Sequence, residues 1–312
     1  MNTYLVTGGA GFIGSNIIDK LIKNNSNVVV LDNLFSGKKE NIAHNLDKIK
    51  FIKGDIRNEK DLDKALGGVD FVLHQAALRS VPKSMAKPFE YNDVNVNGTL
   101  KLLIKAKEHN VKRLVFASSS SVYGERDTFP EIESDVPNPI SPYATTKLMG
   151  EYYCKLFSNS FGLETVCLRY FNVFGPRQSL DSQYAVVIPK FITCILNNES
   201  PPVFGDGLQE RDFTFIENVV EANLRAAVAP KVSGEIFNVA CGDARSVLSI
   251  VGAVNKVLGK AVKPALQPKR KGDVLKTLAD ITKLKQLLKI EKFVNFEEGL
   301  KNTVSWFEKN GK

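Results

Sequence analysis

The chain has little of what builds metal centres, disulfide frameworks or membrane spans. Of its 312 residues only four are cysteine, Cys154, Cys167, Cys194 and Cys241, far apart and without Cys-x-x-Cys spacing. That excludes a zinc ribbon and a disulfide scaffold. The three histidines, His44, His74 and His109, are also widely separated, so neither a histidine metal site nor a Ser-His-Asp hydrolase is readable. No apolar run approaches the roughly 20 residues that cross a bilayer. The first strand-like run, Tyr4-Leu5-Val6, comes without a preceding basic segment, long apolar stretch or cleavage site, so no signal peptide is expected. Internal repeats and low-complexity tracts are missing too. A soluble protein of a reduced, cytoplasmic setting is expected.

Charge is modestly one-sided, with 42 Lys and Arg against 34 Asp and Glu and a formal net charge of +8. The lysines are scattered; the longest basic stretch is Lys269-Arg270-Lys271. This distribution suits a small phosphorylated ligand better than nucleic acid, and no nucleic-acid or membrane partner is expected.

With 43% apolar and 24% charged residues the chain can bury an ordinary globular core. Its first half alternates short β-branched runs with amphipathic stretches, the pattern of parallel βαβ units. Strands are expected at Tyr4 to Thr7, Val28 to Leu31, Lys50 to Lys53, Phe71 to His74, Arg113 to Ala117 and Thr165 to Arg169. Between them, Val96, Leu100, Leu103 and Ile104 have the spacing of one helix face. The fold class is α/β, a doubly wound parallel sheet. After Asn172 the prolines 176, 189, 201 and 202 and the glycines 205 and 207 mark shorter elements. A smaller, discontinuous lobe for substrate is therefore expected at 173–214 and 241–312. The sheet domain would take 1–172 and regain the chain at 215–240, with a helix at Val219 to Ala227 and a strand at Ile236 to Val239.

The first strand runs into Gly8-Gly9-Ala10-Gly11-Phe12-Ile13-Gly14 and then into a helix carrying Ile17, Ile18, Leu21 and Ile22. Glycines permit a tight turn and let backbone amides approach a pyrophosphate at the positive end of the helix. The second strand ends on Asp32, whose carboxylate can accept from both adenosine ribose hydroxyls and would repel a 2′-phosphate. NAD is favoured over NADP. Asp55 and Ile56, after the third strand, fit either against adenine or, for Asp55, as a helix cap.

Downstream of Arg113 to Ala117 lies Ser118-Ser119-Ser120-Ser121-Val122-Tyr123-Gly124, followed by Ser141-Pro142-Tyr143-Ala144-Thr145-Thr146-Lys147. Hydroxyls at the carboxyl end of a parallel strand face the ligand crevice. A helix opening at Pro142 places Tyr143 and Lys147 one turn apart on the same face. An ammonium and a nicotinamide cation near a phenol favour its ionised form, so Tyr143 is the expected base. A Tyr-x-x-x-Lys alone is common on surface helices; its context gives it weight here.

These segments, with Arg169-Tyr170-Phe171-Asn172-Val173-Phe174-Gly175, resemble the extended short-chain dehydrogenase/reductase family over essentially the whole chain, and within it the UDP-sugar 4-epimerases. The resemblance implies a Rossmann-like fold, resident NAD, and removal of the sugar 4-hydroxyl proton by Tyr143 while C4 gives up hydride. The 4-keto sugar then turns over and regains hydride on its other face. Lys147 and Ser119 would complete the catalytic set, with Ser121 a second contact and Ser118 and Ser120 structural. Gly8, Gly11, Phe12, Ile13, Gly14, Asp32, Asn33, Asp55, Ile56, Gln75, Ala76, Ala77 and Asn95 would line the cofactor, alongside Tyr143 and Lys147. His74 is taken as structural.

For the substrate, the resemblance implies Asn172, Arg211 and Arg270 at the diphosphate, Asp273 at the uridine ribose and Phe204 on the uracil, with Arg79, Ser84 and Val187 also in contact. Thr277 stands where members restricted to unsubstituted hexoses carry a bulky tyrosine. Residues Ala76 to Ser84 are similar to the N-acetylhexosamine epimerases, so both plain and N-acetyl UDP-hexoses are expected. Related dehydratases carry an Asp-Glu pair where Ser120 and Ser121 stand. UDP-glucuronate 4-epimerase is the alternative, although those enzymes have threonine at the Asn172 position; a catalytically silent NAD-binding sensor is a remote one. Family members usually pair through two helices, here about Val96 to Glu108 and Tyr143 to Phe161, so a homodimer is expected. Leu148 and Leu156 fit either that seam or core packing.

Overall fold

The structure is a computed structural model that describes residues 1–180, 187–269, 274–290 and 292–310. Strands β1 (Thr3–Thr7), β2 (Asn27–Asp32), β3 (Ile49–Lys53), β4 (Phe71–His74), β5 (Arg113–Ser119), β6 (Glu164–Tyr170) and β7 (Ile236–Val239) form one parallel sheet in the order β7-β6-β5-β4-β1-β2-β3. Strand order reverses between β1 and β4, which opens a crevice at their carboxyl ends. The β-branched runs of the sequence become these strands, β4 and β7 with the expected bounds and the others with one or two residues added. β5 gains Ser118 and Ser119, and so carries the first hydroxyls of the serine run on the sheet itself.

Helices cover both faces: α1 (Phe12–Lys23), α2 (Glu59–Leu66), α3 (Gly98–Glu108), α4 (Pro142–Leu156) and α5 (Ile216–Val228). Alternation along the strands sorts the core. Val6, Val30, Val115 and Leu168 pack with Ile17, Ile18 and Val219 from α1 and α5. Leu5, Val29, Val72, Leu114 and Phe116 pack with Leu62, Leu102 and Cys154 from α2, α3 and α4. Burial on both faces explains why the strands read as nearly continuous apolar runs. Each such side chain contributes roughly 1.5–3 kcal/mol relative to exposure.

The helix-face reading at Val96 to Ile104 needs correction. A π turn at Asp93–Asn97 precedes α3, and its wider hydrogen-bond spacing resets the phase of the helix. Leu102, Leu103 and Ala106 are buried, while Ile104 is 42% exposed. Leu148 packs against the core, whereas Leu156 is exposed.

Beyond Asn172, Val173–Phe174 pairs in parallel with Thr214–Phe215, bringing the chain back to the sheet. Helices Val187–Leu196, Val247–Leu258 and Phe296–Asn310 pack around Phe174, Phe213, Phe215 and Phe296. One cluster of buried side chains runs from Val6 and Ile17 to Val254 and Phe307, so these later segments share a core with the sheet. Among the described residues no helix is long and apolar enough to cross a membrane.

Candidate active site

The glycine turn closes the carboxyl end of β1. Gly8 adopts φ +68°, and a Cβ there would meet the Ala76 nitrogen at 2.7 Å, so only glycine allows this approach of the turn to the end of β4. The Gly11 amide donates to the Gly8 carbonyl at 3.1 Å. α1 then starts with Gly11 as its cap; no side chain caps it and no acid lies in its first turn. Its leading amides therefore fit a pyrophosphate. Phe12 is buried and Ile13 packs against the core, so what they offer a cofactor is backbone.

Asp32 is buried at the end of β2. Its two oxygens accept from the amides of Ala10 at 2.9 Å and Leu34 at 2.7 Å, which aim the carboxylate at the edge of the crevice. Burial raises its pKa, and those two amides oppose the rise. The fit to an adenosine ribose is good.

Asp55 does not cap a helix. Asn58 caps α2, accepting from the Lys60 amide at 3.0 Å, while Asp55 accepts from Arg57 Nε and Nη2 at 3.0 and 2.9 Å and from Asn33 at 2.9 Å. Those Arg57 hydrogen bonds hold its pKa at about 2. Ile56 is in the core, its side chain against Gly98. Gln75 also turns inward, donating to Asn223 at 3.0 Å and accepting from Tyr170 at 3.2 Å. Asn95 is spent within the protein: it accepts from the Leu78 amide and donates to the Leu78 carbonyl and Thr146 hydroxyl, all within 3.0 Å. It fixes the path of residues 76–78 past the glycine turn.

His74 is a link in that wall. Thr99 donates to the Asn95 carbonyl at 2.6 Å, which leaves its oxygen to accept from His74 Nε2 at 2.9 Å. His74 Nδ1 then accepts from Thr7 at 2.7 Å, and the Thr7 oxygen accepts from the Ala76 amide at 3.3 Å. Burial lowers the imidazole pKa to about 3, so His74 is neutral.

α4 presents the central pair. Ser141 caps it, accepting from the Ala144 amide at 3.2 Å, and Pro142 occupies its first turn. Ser84, fully buried, accepts from the Tyr143 amide at 3.1 Å and donates to Val81 at 2.6 Å; its hydroxyl secures the helix start. The Ser119 hydroxyl lies beside the Tyr143 phenol and accepts from Ser121 Oγ at 2.9 Å. Lys147 is buried, donates to the Ala117 carbonyl at 2.8 Å and lies 6.0 Å from the Tyr143 ring centroid. Burial raises the Tyr143 pKa, against the pull of Ser119 and Arg79. It lowers that of Lys147 to about 8. Arg79 is solvent-accessible yet walled by protein, on the side of Tyr143 and Tyr91, and desolvation lowers its pKa.

Toward the later segments, Asn172 takes φ +32° and donates through Nδ2 to the Asp212 carbonyl at 3.2 Å and to Thr277 Oγ1 at 3.1 Å. Arg211 is nearly buried and donates to the Glu210 carbonyl at 2.7 Å. Phe204, Gly205, Leu208, Gln209, Lys269 and Leu275 line a cavity of about 190 Å³. Val187 opens its helix half-buried against the core. Arg270 and Asp273 lie outside the described residues.

Residues 4–240 match the NAD dependent epimerase/dehydratase family. The chain belongs to it. A putative UDP-glucose 4-epimerase of Methanocaldococcus jannaschii is 41% identical over 312 residues, 99% of each chain. A UDP-N-acetylglucosamine 4-epimerase of Methanobrevibacter ruminantium, solved with UDP-N-acetylmuramic acid, is 44% identical over 99% of each chain with a TM-score of 0.94. A UDP-glucose 4-epimerase of Thermotoga maritima, solved with UDP-glucose, is 39% identical with a TM-score of 0.94, covering 99% of this chain and all of that one. The cofactor is NAD, and the sheet order and glycine turn are those of a Rossmann-like enzyme.

In this epimerase/dehydratase chain, the structure adds residues that motif reading leaves out. Glu151 follows Lys147 by one turn of α4 and accepts from Ser118 Oγ at 2.5 Å and from Arg169 Nε and Nη2 at 2.9 and 2.7 Å. Extending the Tyr143, Lys147 spacing by four residues would have found it. Glu131 and Asp212 hold the segment bearing Thr277 through the amides of Leu278 at 3.2 Å and Ala279 at 3.3 Å. Their pairing across the chain leaves no local signal.

Proposed function

We propose that this enzyme inverts C4 of UDP-hexoses, both UDP-glucose/UDP-galactose and their N-acetyl counterparts. The observation that carries the reading is the Tyr143 phenol beside the Ser119 hydroxyl, with the buried Lys147 one helical turn on, at the strand ends where the NAD turn opens. Tyr143 takes the proton of the 4-hydroxyl and returns it to the 4-oxygen after the keto sugar has turned over. Ser119 holds the reacting oxygen, and Ser121 supports Ser119. Lys147 supplies positive charge that favours the phenolate. NAD, when bound, would supply the acceptor for the C4 hydride and the donor that restores it within one turnover. Gly8, Gly11, Gly14 and the first amides of α1 hold its pyrophosphate, and Asp32 its ribose.

Segments 173–214 and 241–312 hold the nucleotide sugar. Arg211 and Arg270 neutralise the diphosphate, Asn172 stands beside it with its Nδ2 hydrogens given to the Asp212 carbonyl and Thr277 Oγ1, and Phe204 with its cavity takes the uracil. Thr277 leaves room beside the sugar 2-substituent. Two copies pair through the helix faces that expose Ile104, Tyr152 and Leu156. Turnover of UDP-glucose, UDP-galactose, UDP-GlcNAc, UDP-GalNAc and UDP-glucuronate by the purified protein, followed by NMR, tests the proposal. Epimerisation of the first four is expected; turnover of UDP-glucuronate alone would overturn it.

A further inference from the structure

Tyr143, Lys147 and Glu151 occupy every fourth position of α4 and so lie along one strip of the helix. The strip faces β5 and β6, and its last member is enclosed: Glu151 and Arg169 have side chains 1% and 2% exposed. The carboxylate gathers three donors from two strands, Ser118 of β5 and the forked guanidinium of Arg169 of β6. Ser118 stands between Ala117, whose carbonyl receives the Lys147 ammonium at 2.8 Å, and Ser119, whose hydroxyl lies beside Tyr143. One buried charge thus sets the register of the helix bearing the base against the strand bearing its hydroxyl partner.

The geometry points to Glu151 as a positioning residue that keeps the Lys147 side chain cationic and in place for the reaction assigned to Tyr143, an inference that rests on the reading in the preceding section. The groups around Lys147 make the direction clear. From β4 it faces His74, which is neutral, and from β5 the Phe116 ring at 5.1 Å. On its own helix are Tyr143, Cys154 and Glu151. Beyond Glu151 stands Arg169, stacked on Tyr123 at 4.6 Å. Burial works against the ammonium, while Cys154 and the Glu151 carboxylate work for it. Removing the carboxylate would also expose Lys147 to the unopposed guanidinium of Arg169, so both changes push the same way.

The test is a titration of the holoenzyme carrying lysine labelled with 13C at Cε. The Lys147 resonance, identified by its loss in Lys147→Met, is expected to titrate near 8 in the native protein. In Glu151→Gln the midpoint should fall by about one pH unit, and Glu151→Asp should restore most of it. An unchanged midpoint in Glu151→Gln would overturn the inference. Should a lone buried guanidinium prevent folding, Glu151→Gln/Arg169→Met removes both charges, and its midpoint must still fall below the native one. The alkaline limb of kcat should move with the resonance. A resonance that moves while the limb stays would count against Lys147 in the proposed reaction and leave the role of Glu151 standing.

Discussion

Thr277 Oγ1 accepts a hydrogen bond from Asn172 Nδ2 at 3.1 Å and another from the Asp212 amide at 3.3 Å, across 105 and 65 residues of sequence. The position expected to set the width of the sugar pocket is therefore also a support for the side chain proposed at the diphosphate. Enlarging it does two things at once. Thr277→Tyr should abolish turnover of N-acetyl sugars and also weaken the plain UDP-hexoses. Thr277→Val, which keeps the room but loses the hydroxyl, should raise KM for both classes by about fivefold to tenfold, the worth of one hydrogen bond. Thr277→Ser should restore KM. Equal KM values in the valine and native enzymes would remove the link to Asn172.

Tyr143→Phe leaves the ring in place and removes only the group that exchanges a proton. Turnover of every UDP-sugar should fall at least about 100-fold, with NAD content and melting temperature unchanged. Because the Tyr143 amide donates to Ser84 at 3.1 Å, a backbone contact that phenylalanine preserves, the fold gives no reason for loss of binding. Full turnover by the variant would cancel the role given to Tyr143.

Local patterns carried most of the fold. The glycine turn, Asp32 and the Tyr143, Lys147 spacing each depend on neighbours within one βα unit, where strand alternation and helical periodicity fix direction. Ser84 and Asn95 were legible as residues near the site but not in their roles, because their partners, the Tyr143 amide and the Leu78 backbone, are set by tertiary packing. The phase of α3 was misread because a π turn leaves no mark in apolar spacing. The holding of residues 278–280 by Glu131 and Asp212 joins stretches more than 60 residues apart, and no periodicity reaches that far.

Asp32 is expected to decide how firmly NAD is kept. Its carboxylate organises the Ala10 and Leu34 amides as well as facing the ribose, so Asp32→Ala removes a charged acceptor and leaves two donors unpaired. NAD affinity should weaken roughly tenfold to 100-fold, from about 1.5–3 kcal/mol for hydrogen bonds to a charged group. Asn33→Ala should change it little, since Asn33 is exposed and bonds Asp55. Direct titration of NAD into the stripped proteins checks both.

Glu131 and Asp212 should make stability fall as pH rises. Burial pushes Glu131 up to about 7 and Asp212 up to about 6. A carboxyl raised above its unfolded value favours the fold while it stays neutral. Its contribution is fully present below about pH 4 and is lost as pH climbs through the folded value, a window of roughly 4 to 7 here. Glu131→Gln keeps an acceptor for the Leu278 amide but cannot ionise. Relative to the native protein, its urea midpoint should therefore gain between pH 5 and pH 8. The gain is on the order of 1.4 kcal/mol for each unit separating the folded and unfolded pKa values. Asp63, Asp70 and Asp93, whose ion pairs lower their pKa, act in the opposite sense and only at lower pH, so they do not enter this difference. A difference between variant and native protein that is the same at both pH values would mean that Glu131 is already ionised in the fold at pH 5.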